Sequence, residues 1–226
     1  MKKTTYFSKA ELALWLTSVT VIIASFLIFD RVGYLALVAS LIGTTALILC
    51  AKGNPIGQAL IIVFGIIYGI ISYSSAYYGE MITYLGMSVP MAVFSLISWL
   101  KNPYNGSKSE VKIARLGHLD IAIMTIATVG VTVAFYFILG AFNTANLLPS
   151  TISVTTSFIA VFLTYKRSPY FALAYAANDV VLIVLWVLAA KVGSHCLSVV
   201  ICFITFLAND IYTYLNWLKI RKRQES

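Results

Sequence analysis

The sequence predicts an all-α integral membrane protein with eight transmembrane helices, and three observations indicate this fold class. Of its 226 residues, 60% are hydrophobic and 11% are charged, which is far from the balance of a soluble globular domain. Apolar segments of roughly 20 residues, the length that crosses a bilayer core, recur along the whole chain. When these segments alternate in direction, the basic residues between them fall almost entirely on one side.

The predicted spans cover most of the chain and leave no room for a soluble catalytic domain. The first segment has a basic start but no convincing small-residue cleavage site, so we interpret it as a retained helix. Residues 101–118 form the one sizeable polar connection, and their turn residues and mixed charges suit a solvated linker. In order, the spans are 12–29, 32–50, 57–77, 80–100, 119–140, 147–165, 169–190 and 194–218.

Charge placement predicts the orientation of the chain. With eight alternating spans, fourteen lysines and arginines lie on the side of the two termini, whereas Arg31 and Lys191 lie on the other. Positively charged loops remain in the cytoplasm, so both termini are expected there. The net charge of +8 therefore reflects membrane topology, and no nucleic-acid partner is expected.

Two stretches of the chain share the same order of landmarks, TTALILCAKGNP at Thr44 to Pro55 and TTSFIAVFLTYKRSP at Thr155 to Pro169. Each has a Thr-Thr pair, an apolar run, a basic turn and a proline suited to the start of a helix. Each continues to a Trp-Leu-Lys triplet, at 99–101 and 217–219. This pattern predicts two three-helix repeats that cross the membrane in the same direction. Parallel repeats are a transporter architecture, with the binding site near the midplane between them.

The repeats divide the chain into five predicted parts. The helix before them lies outside both repeats and is an addition to the core. One linking helix joins the repeats after the polar loop. The parts are the extra N-terminal helix (1–31), repeat 1 (32–101), the cytoplasmic loop and linker helix (102–146), repeat 2 (147–219) and a basic cytoplasmic tail (220–226).

An Asn-Asp pair lies inside each of the last two apolar segments. An Asp at the centre of a membrane helix costs about 2.5–3.5 kcal/mol, so Asp179 and Asp210 should face the bundle interior. Helical spacing places other polar and aromatic residues on the same faces. The first stripe is Tyr175, Asn178, Asp179, Leu182 and Trp186, and the second is Thr205, Asn209, Asp210, Thr213, Asn216 and Trp217.

These two stripes have several interpretations. They could line one cavity together with faces of the first repeat that carry Gln58, Tyr68 and Tyr84. They could instead hold helices together, although such contacts contribute only about 0.6–2 kcal/mol each. An Asp pair could also relay protons, but no Lys, Arg or His on these helices completes a relay. Glu80 is expected at the outer interface.

The sequence favours no enzymatic chemistry. The cysteines are odd in number and have no metal or disulfide spacing, and the two histidines stand apart. GNPIGQ lacks the lysine and the spacing of a P-loop, so ATP-driven transport by this chain is not expected. A membrane-embedded lipid enzyme would need a clustered catalytic group, whereas Asp179, Asp210 and Glu80 differ in helix and depth. We therefore expect neither an enzyme nor a cofactor or metal.

The motifs KGNPIGQ, YYGEMITYLGM, AANDVVLIVLW and LANDIYTYLNWLK occur here in the order found in a known family. In this respect the chain, over about residues 32–219, resembles the Pnu family of bacterial vitamin transporters. The Asn-Asp motif followed by Trp is the most specific part of this resemblance. The family has two three-helix bundles joined by a linker helix and is related in fold to the SWEET sugar transporters. That organisation agrees with the repeats predicted above.

The resemblance implies facilitated diffusion of nicotinamide riboside across a bacterial inner membrane, with trapping by a cytoplasmic nucleoside kinase. It also implies substrate contacts from Asn178, Trp186 and Asn209, with Gln58 and Tyr68 contributing from repeat 1. Many riboside-carrying members have paired tryptophans on the penultimate helix, whereas Trp186 is alone. Thiamine, riboflavin or another nucleoside therefore remains an alternative substrate, and proton coupling and a homo-oligomer remain open. The full candidate set is Asn178, Trp186, Asn209, Gln58, Tyr68, Tyr175, Asp179, Asp210, Tyr84 and Thr213.

Overall fold

The computed structural model describes residues 6–74, 78–144, 146–190 and 196–226. Eight helical segments in these ranges are long and apolar enough to cross a membrane, which confirms the predicted fold class. The predicted span ends at 75–77 and 194–195, and Lys191 of the charge comparison, lie outside the described residues. The helices are α1 (Lys9–Phe29), α2 (Tyr34–Ala51), α3 (Pro55–Ser74), α4 (Tyr78–Ile82), a π-helical turn (Thr83–Ser88), α5 (Val89–Lys101), α6 (His118–Ala141), α7 (Leu147–Tyr165), α8 (Tyr170–Ala190) and α9 (Cys196–Glu225).

Helix α1 begins before the predicted apolar segment because a capping box defines its start. The Ser8 N–H donates to Oε2 of Glu11 at 2.7 Å, and the Glu11 N–H donates to Oγ of Ser8 at 3.2 Å. These two bonds satisfy backbone donors that a helix start leaves unpaired. Glu11 is buried and forms an ion pair with Lys52 at 3.2 Å. The pair fixes α1 to the turn that follows α2.

The span Gly79–Lys101 contains α4, the π-helical turn and α5. In the turn, the Val89 N–H donates to the carbonyl oxygen of Tyr84, five residues earlier. Pro90 follows directly and has no N–H with which to continue a regular helix. The helix is therefore irregular as a wide turn that precedes this proline. Such turns re-aim side chains and are frequent at functional sites.

The predicted polar linker contains a short antiparallel hairpin of β1 (Pro103–Tyr104) and β2 (Ser107–Val111). Asn105 and Gly106 form its tip with φ of 47° and 74°, the left-handed geometry that hairpin turns require. The strand end is fixed to the membrane helices, because the Val111 N–H donates to the Gly53 carbonyl at 2.9 Å. The Ala114 N–H donates to the Arg167 carbonyl at 3.1 Å. The linker thus joins the α2–α3 turn to the α7–α8 turn.

The same linker holds the end of α9. Gln224 accepts from the Ile113 N–H at 2.8 Å and donates to the Val111 carbonyl at 3.0 Å. These contacts explain why α9 extends to Glu225, beyond the predicted apolar boundary at 218. Four segments therefore meet at one end of the bundle: the turns 52–54 and 165–169, the linker and the end of α9. We call this the basic end.

Two tryptophans are buried at the basic end in reciprocal arrangements. The Trp99 indole N–H donates to the Thr164 carbonyl at 2.9 Å, and that of Trp217 donates to the Cys50 carbonyl at 2.8 Å. Cys50 and Thr164 each stand five residues before a proline, Pro55 and Pro169 respectively. The ring centroids of the two tryptophans lie 5.3 Å apart, and Phe171 packs against both. We call Trp99, Phe171 and Trp217 the tryptophan cluster.

Candidate functional site

A cavity of about 150 Å³ lies between the two predicted repeats. One wall comes from α2, α3 and the π-helical turn, and the other comes from α7, α8 and α9. The lining is largely apolar, and its polar groups occur at many levels of the bundle. The polar and titratable side chains that line it include Gln58, Tyr68, Glu80, Thr83, Tyr84, Ser88, Ser153, Ser157, Tyr175, Asn178, Asp179 and Asp210.

The structure brings most of the candidate residues to this cavity. The residues of the first stripe lie on α8, and we call them the α8 stripe. These residues and the candidates from repeat 1 lie along the walls of the cavity. Asn209 and Thr213 of α9 are buried elsewhere and do not line it. The candidates that do line it are Gln58, Tyr68, Tyr84, Tyr175, Asn178, Asp179, Trp186 and Asp210.

Repeat 1 contributes an aromatic face. The ring centroid of Tyr68 lies 5.0 Å from that of Phe64 and 5.2 Å from that of Tyr84. Close packing of α3 on the following span makes this contact possible. A Cβ atom at Gly65 would lie 2.7 Å from Cγ2 of Val89, so glycine is required for the observed approach. The three rings form a surface suited to contact with a planar group.

Asn178 presents an oriented amide on the opposite wall. Its Oδ1 atom accepts from the Thr156 hydroxyl at 2.8 Å and from the Ser153 hydroxyl at 3.1 Å. These contacts occupy the acceptor side of the amide and leave the Nδ2 hydrogens available to the cavity. Trp186 lies two turns further along α8 and also lines the cavity. Helix α8 therefore offers a donor and an aromatic ring to the same space.

Three acidic residues line the cavity, namely Glu80, Asp179 and Asp210. Asp179 and Asp210 are 4% and 3% exposed. Oδ2 of Asp179 and Oδ1 of Asp210 accept no hydrogen bond from another protein group. No Lys, Arg or His is found among the described lining residues. The described lining therefore offers a ligand carboxyl groups but no basic side chain.

Asn209 has a different environment from Asn178. Its Nδ2 group donates to the Ser18 hydroxyl of α1 at 2.9 Å and to the Thr205 carbonyl at 2.8 Å. The Thr213 hydroxyl donates to the Asn209 carbonyl within α9. Adjacent residues of a helix point about 100° apart, so Asn209 can face α1 while Asp210 faces the cavity. The contacts of Asn209 and Thr213 thus join and brace helices.

Gln58, Cys50 and Phe171 line the part of the cavity near the basic end. Gln58 lies there and donates to Sγ of Cys50 at 3.2 Å. Cys50 and Phe171 line the cavity and also pack in the buried cluster that contains Trp99 and Trp217. The tryptophan cluster therefore adjoins the cavity at the basic end.

Several lining residues were not among the candidates. Phe64 lies one turn before Tyr68, so helical spacing could have identified it. Ser153 and Ser157 share a face of α7, where short hydroxyl side chains give little sequence signal. Glu80, which was expected at the outer interface, also lines the cavity. In the part of the chain that the structure describes, no group of His, Cys, Asp and Glu is arranged to hold a metal.

Comparison with known proteins gives a consistent result. The chain is 26% identical over 219 residues to the nicotinamide riboside transporter PnuC of Neisseria mucosa, covering 93% of this chain and 82% of that protein. It is 24% identical to the protein of the same name from Haemophilus influenzae, covering 84% and 81%. A crystal structure of the vitamin B3 transporter PnuC matches with a TM-score of 0.82 and 23% identity, covering 96% of this chain and 94% of that one.

The match to a family extends over most of the chain. Residues 33–219 match the nicotinamide mononucleotide transporter family. This range begins after α1 and ends just after the Trp-Leu-Lys triplet of α9, close to the range over which the motifs resemble the Pnu family. The resemblance is therefore confirmed, and the chain belongs to the nicotinamide mononucleotide transporter family of membrane proteins.

Proposed function

We propose that this chain carries nicotinamide riboside across the membrane by alternating access at the cavity between its halves. The curated relatives are named for this substrate. The observation that carries the proposal is the combination of groups in one cavity. An aromatic face, an amide donor and acidic side chains converge there, and the described lining has no basic side chain.

Each group in the cavity matches a part of the substrate. Nicotinamide riboside has a positively charged pyridinium ring, a carboxamide and ribose hydroxyls. Trp186, Tyr68 and Tyr84 provide rings that attract a planar cation. The Nδ2 group of Asn178 can donate to the carboxamide oxygen, and Ser153 or Ser157 can exchange hydrogen bonds with ribose. The acidic residues balance the charge of the ring.

The charge of the cavity favours the riboside over the mononucleotide. A phosphate ester adds about −1.5 to −2 charge near pH 7. Glu80, Asp179 and Asp210 would disfavour this charge, and the described lining offers no Lys or Arg to neutralise it. A cytoplasmic kinase that phosphorylates the riboside would therefore convert it into a form that this cavity rejects. Trapping of this kind needs no ATP hydrolysis by the carrier.

The two halves provide the elements for alternating access. Helices of both predicted repeats line the cavity, and the tryptophan cluster adjoins it at the basic end. The reciprocal bonds of Trp99 and Trp217 support a two-fold relation between the repeats. A rocking motion of one repeat against the other would break these bonds and open the basic end.

The charge distribution supports a location in a bacterial inner membrane with the basic end in the cytoplasm. Most of the basic residues of the chain lie in the linker, in the turns at 52–54 and 165–167 and at the end of α9. Basic loops resist translocation, so these segments are expected to stay inside. Substrate would enter from the opposite end and leave past the tryptophan cluster.

Uptake into proteoliposomes tests the proposed function. We expect labelled nicotinamide riboside to enter in the absence of ATP and ion gradients and to stop at equal concentrations. Unlabelled riboside should compete, whereas the mononucleotide should compete at least tenfold more weakly. Equal or stronger competition by the mononucleotide would contradict the charge argument. Failure of the riboside to enter or compete would refute the assignment.

Thiamine is a second candidate substrate because it also contains a positively charged aromatic ring. The acidic and aromatic lining fits this chemistry as well. The same liposomes distinguish the candidates when each compound is added as a competitor at several concentrations. Stronger competition by thiamine than by the riboside would reassign the substrate within the class of cationic vitamins.

A further inference from the structure

The turn after α2 and the turn after α7 share one backbone geometry but differ in one side chain. The Gly53 N–H donates to the Cys50 carbonyl at 2.8 Å, and the Arg167 N–H donates to the Thr164 carbonyl at 3.0 Å. The linker donates one backbone hydrogen bond to the carbonyl oxygen of Gly53 and another to that of Arg167. The φ angles of these two residues are 68° and 57°, in the left-handed region that favours glycine. Repeat 1 therefore has the residue that suits this geometry, whereas repeat 2 has an arginine.

The backbone strain at Arg167 indicates a role for its side chain. A non-glycine residue in the left-handed region costs free energy, and such residues cluster at ligand-binding and other functional sites. The turn itself does not need the arginine side chain, because repeat 1 forms the same backbone bonds with Gly53. The advantage of arginine at this position must therefore lie in its guanidinium group.

The guanidinium group of Arg167 has buried nitrogen atoms that lack an acceptor. Its Nε and Nη1 atoms are both buried and donate to no protein group. A guanidinium is charged at every physiological pH and can only donate hydrogen bonds. Burial of such a charge is costly unless it is paired, and its usual partners are carboxylate and phosphate groups.

No carboxylate of the chain is left to pair with Arg167. All eight Asp and Glu residues lie within the described ranges. Four of them already pair with other basic side chains at the basic end: Glu11 with Lys52 at 3.2 Å, Asp120 with Lys166 at 2.7 Å, Glu225 with Arg115 at 2.9 Å, and Glu110 with Arg223. The other four lie elsewhere, with Asp30 at the end of α1 and Glu80, Asp179 and Asp210 along the cavity. An anionic acceptor for Arg167 must therefore come from outside the chain.

The position of Arg167 indicates which anions reach it. It lies in the turn between two membrane-spanning helices, at the basic end of the bundle. Tyr165 and Tyr170 flank this turn and are 39% and 45% exposed. Tyrosines are enriched at the level of the lipid headgroups, and basic side chains at that level bind anionic headgroups. Both the headgroup of a phospholipid and a soluble phosphate ester have access to this level.

We propose that Arg167 is the centre of a binding site for a phosphate group at the basic end, separate from the carrier cavity. The planar guanidinium matches the geometry of phosphate and donates to its oxygen atoms. The phosphate belongs either to an anionic phospholipid at the membrane surface or to a soluble phosphate ester. Its charge neutralises the buried guanidinium, and its binding offsets the strain of the left-handed backbone. The inference does not depend on the proposed function, because Arg167 does not line the cavity.

Thermal denaturation of the intact protein in an uncharged detergent tests this inference. Phosphatidylglycerol and inorganic phosphate are added in separate series. Diacylglycerol and sodium chloride are the controls, because they supply acyl chains and ionic strength without a phosphate. At about ten times its Kd, the phosphate-bearing ligand should raise the Tm of the wild-type protein by about 3–6 °C. Neither control should produce this shift.

Three variants identify the residue that binds the phosphate. Glycine suits a φ of 57°, so Arg167→Gly should be at least as stable as wild type without ligand and should lose the shift in Tm. Arg167→Lys keeps a positive charge without the planar fork and should show a smaller shift than wild type. Lys108→Gln is the matched control, because it removes one positive charge from the exposed hairpin at the same end. It should shift as wild type does.

The two ligand series distinguish the sources of the phosphate. A shift with phosphatidylglycerol alone, lost in Arg167→Gly, would assign the site to a lipid headgroup. A shift with inorganic phosphate, lost in the same variant, would assign it to a soluble phosphate ester. A wild-type protein that responds to neither ligand would overturn the proposal, as would an Arg167→Gly variant that responds like wild type. If Arg167→Gly fails to fold, equal shifts in Arg167→Lys and Lys108→Gln would overturn it.

Discussion

At the scale of single residues, the two Asn-Asp motifs have different roles although their letters are the same. Asn178 is oriented by Ser153 and Thr156 and offers its amide donor to the cavity. Asn209 donates across to Ser18 of α1 and is almost completely buried. The two Asp residues, in contrast, both line the cavity. The motif therefore combines two acids that face one cavity with two amides that serve separate purposes.

The two amides are expected to differ in their effect on binding. Asn178→Ala should raise the Kd for nicotinamide riboside roughly fivefold, the effect of losing about 1 kcal/mol of hydrogen bonding, and should also lower stability because the Ser153 and Thr156 hydroxyls lose an acceptor. Asn209→Ala should lower the free energy of unfolding by about 1–2 kcal/mol, since the buried Ser18 hydroxyl loses a partner, and should leave the Kd nearly unchanged. Binding calorimetry and thermal denaturation in detergent measure the two effects. Similar changes in both variants would contradict the separation of roles.

At the scale of helices, close packing within repeat 1 depends on glycine. A Cβ atom at Gly57 would lie 2.7 Å from the Cys50 backbone nitrogen and 2.9 Å from the Ala46 carbonyl oxygen. Backbone atoms cannot move aside as a flexible side chain can. The contact brings α3 against α2 beside Gln58, and it thereby fixes the cavity wall near the basic end. Small residues are the usual means by which membrane helices approach so closely.

Gly57→Ala should therefore be destabilising. Overpacking of this kind costs about 1–3 kcal/mol, and separation of α2 from α3 should also weaken riboside binding. Gly130→Ala is the matched control, because nothing lies within 4 Å of a Cβ atom at Gly130 in α6. Alanine has the higher helix propensity, so the control should be neutral or slightly stabilising. Thermal denaturation compares the two variants, and equal stability would show that the α2–α3 contact can relax.

The tryptophan cluster is a second feature at this scale. Trp99→Phe and Trp217→Phe each remove one indole N–H and leave a buried carbonyl oxygen without that donor. Each should lower the free energy of unfolding by about 1 kcal/mol. If the bonds keep the basic end closed, each should also change the rate of riboside transport more than its affinity. Thermal denaturation and liposome uptake measure the two quantities. An effect confined to one tryptophan would argue against the two-fold relation.

At the scale of the whole molecule, the basic end collects segments that are distant in sequence. The linker contacts Gly53, Arg167 and Gln224, so turns from both halves and the end of α9 form one layer. Basic residues concentrate in this layer, whereas Arg31 marks the opposite end between α1 and α2. The asymmetry supports an insertion with this layer in the cytoplasm.

Cysteine labelling tests this orientation. Ser107→Cys in the exposed hairpin should react with a membrane-impermeant maleimide only after the inner membrane is opened. Val32→Cys, which is 84% exposed in the opposite loop, should react in intact spheroplasts. Cys196→Ser provides the background, because Cys50 and Cys202 are buried. Labelling of Ser107→Cys in intact spheroplasts would invert the proposed topology.

Sequence and tertiary structure determined different properties of this protein. Composition and apolar segment length predicted the eight spans, because the cost of placing polar groups in a bilayer depends on the residues of each segment alone. Helical spacing also indicated that the α8 stripe shares one face. Tertiary packing decided the rest. It determined that α1 covers Asn209, that the π-helical turn aims Tyr84 at the cavity, and that Asp179 and Asp210 line the same cavity. Spacing along a helix fixes which side chains share a face, but the helix that covers that face depends on contacts between segments distant in the chain.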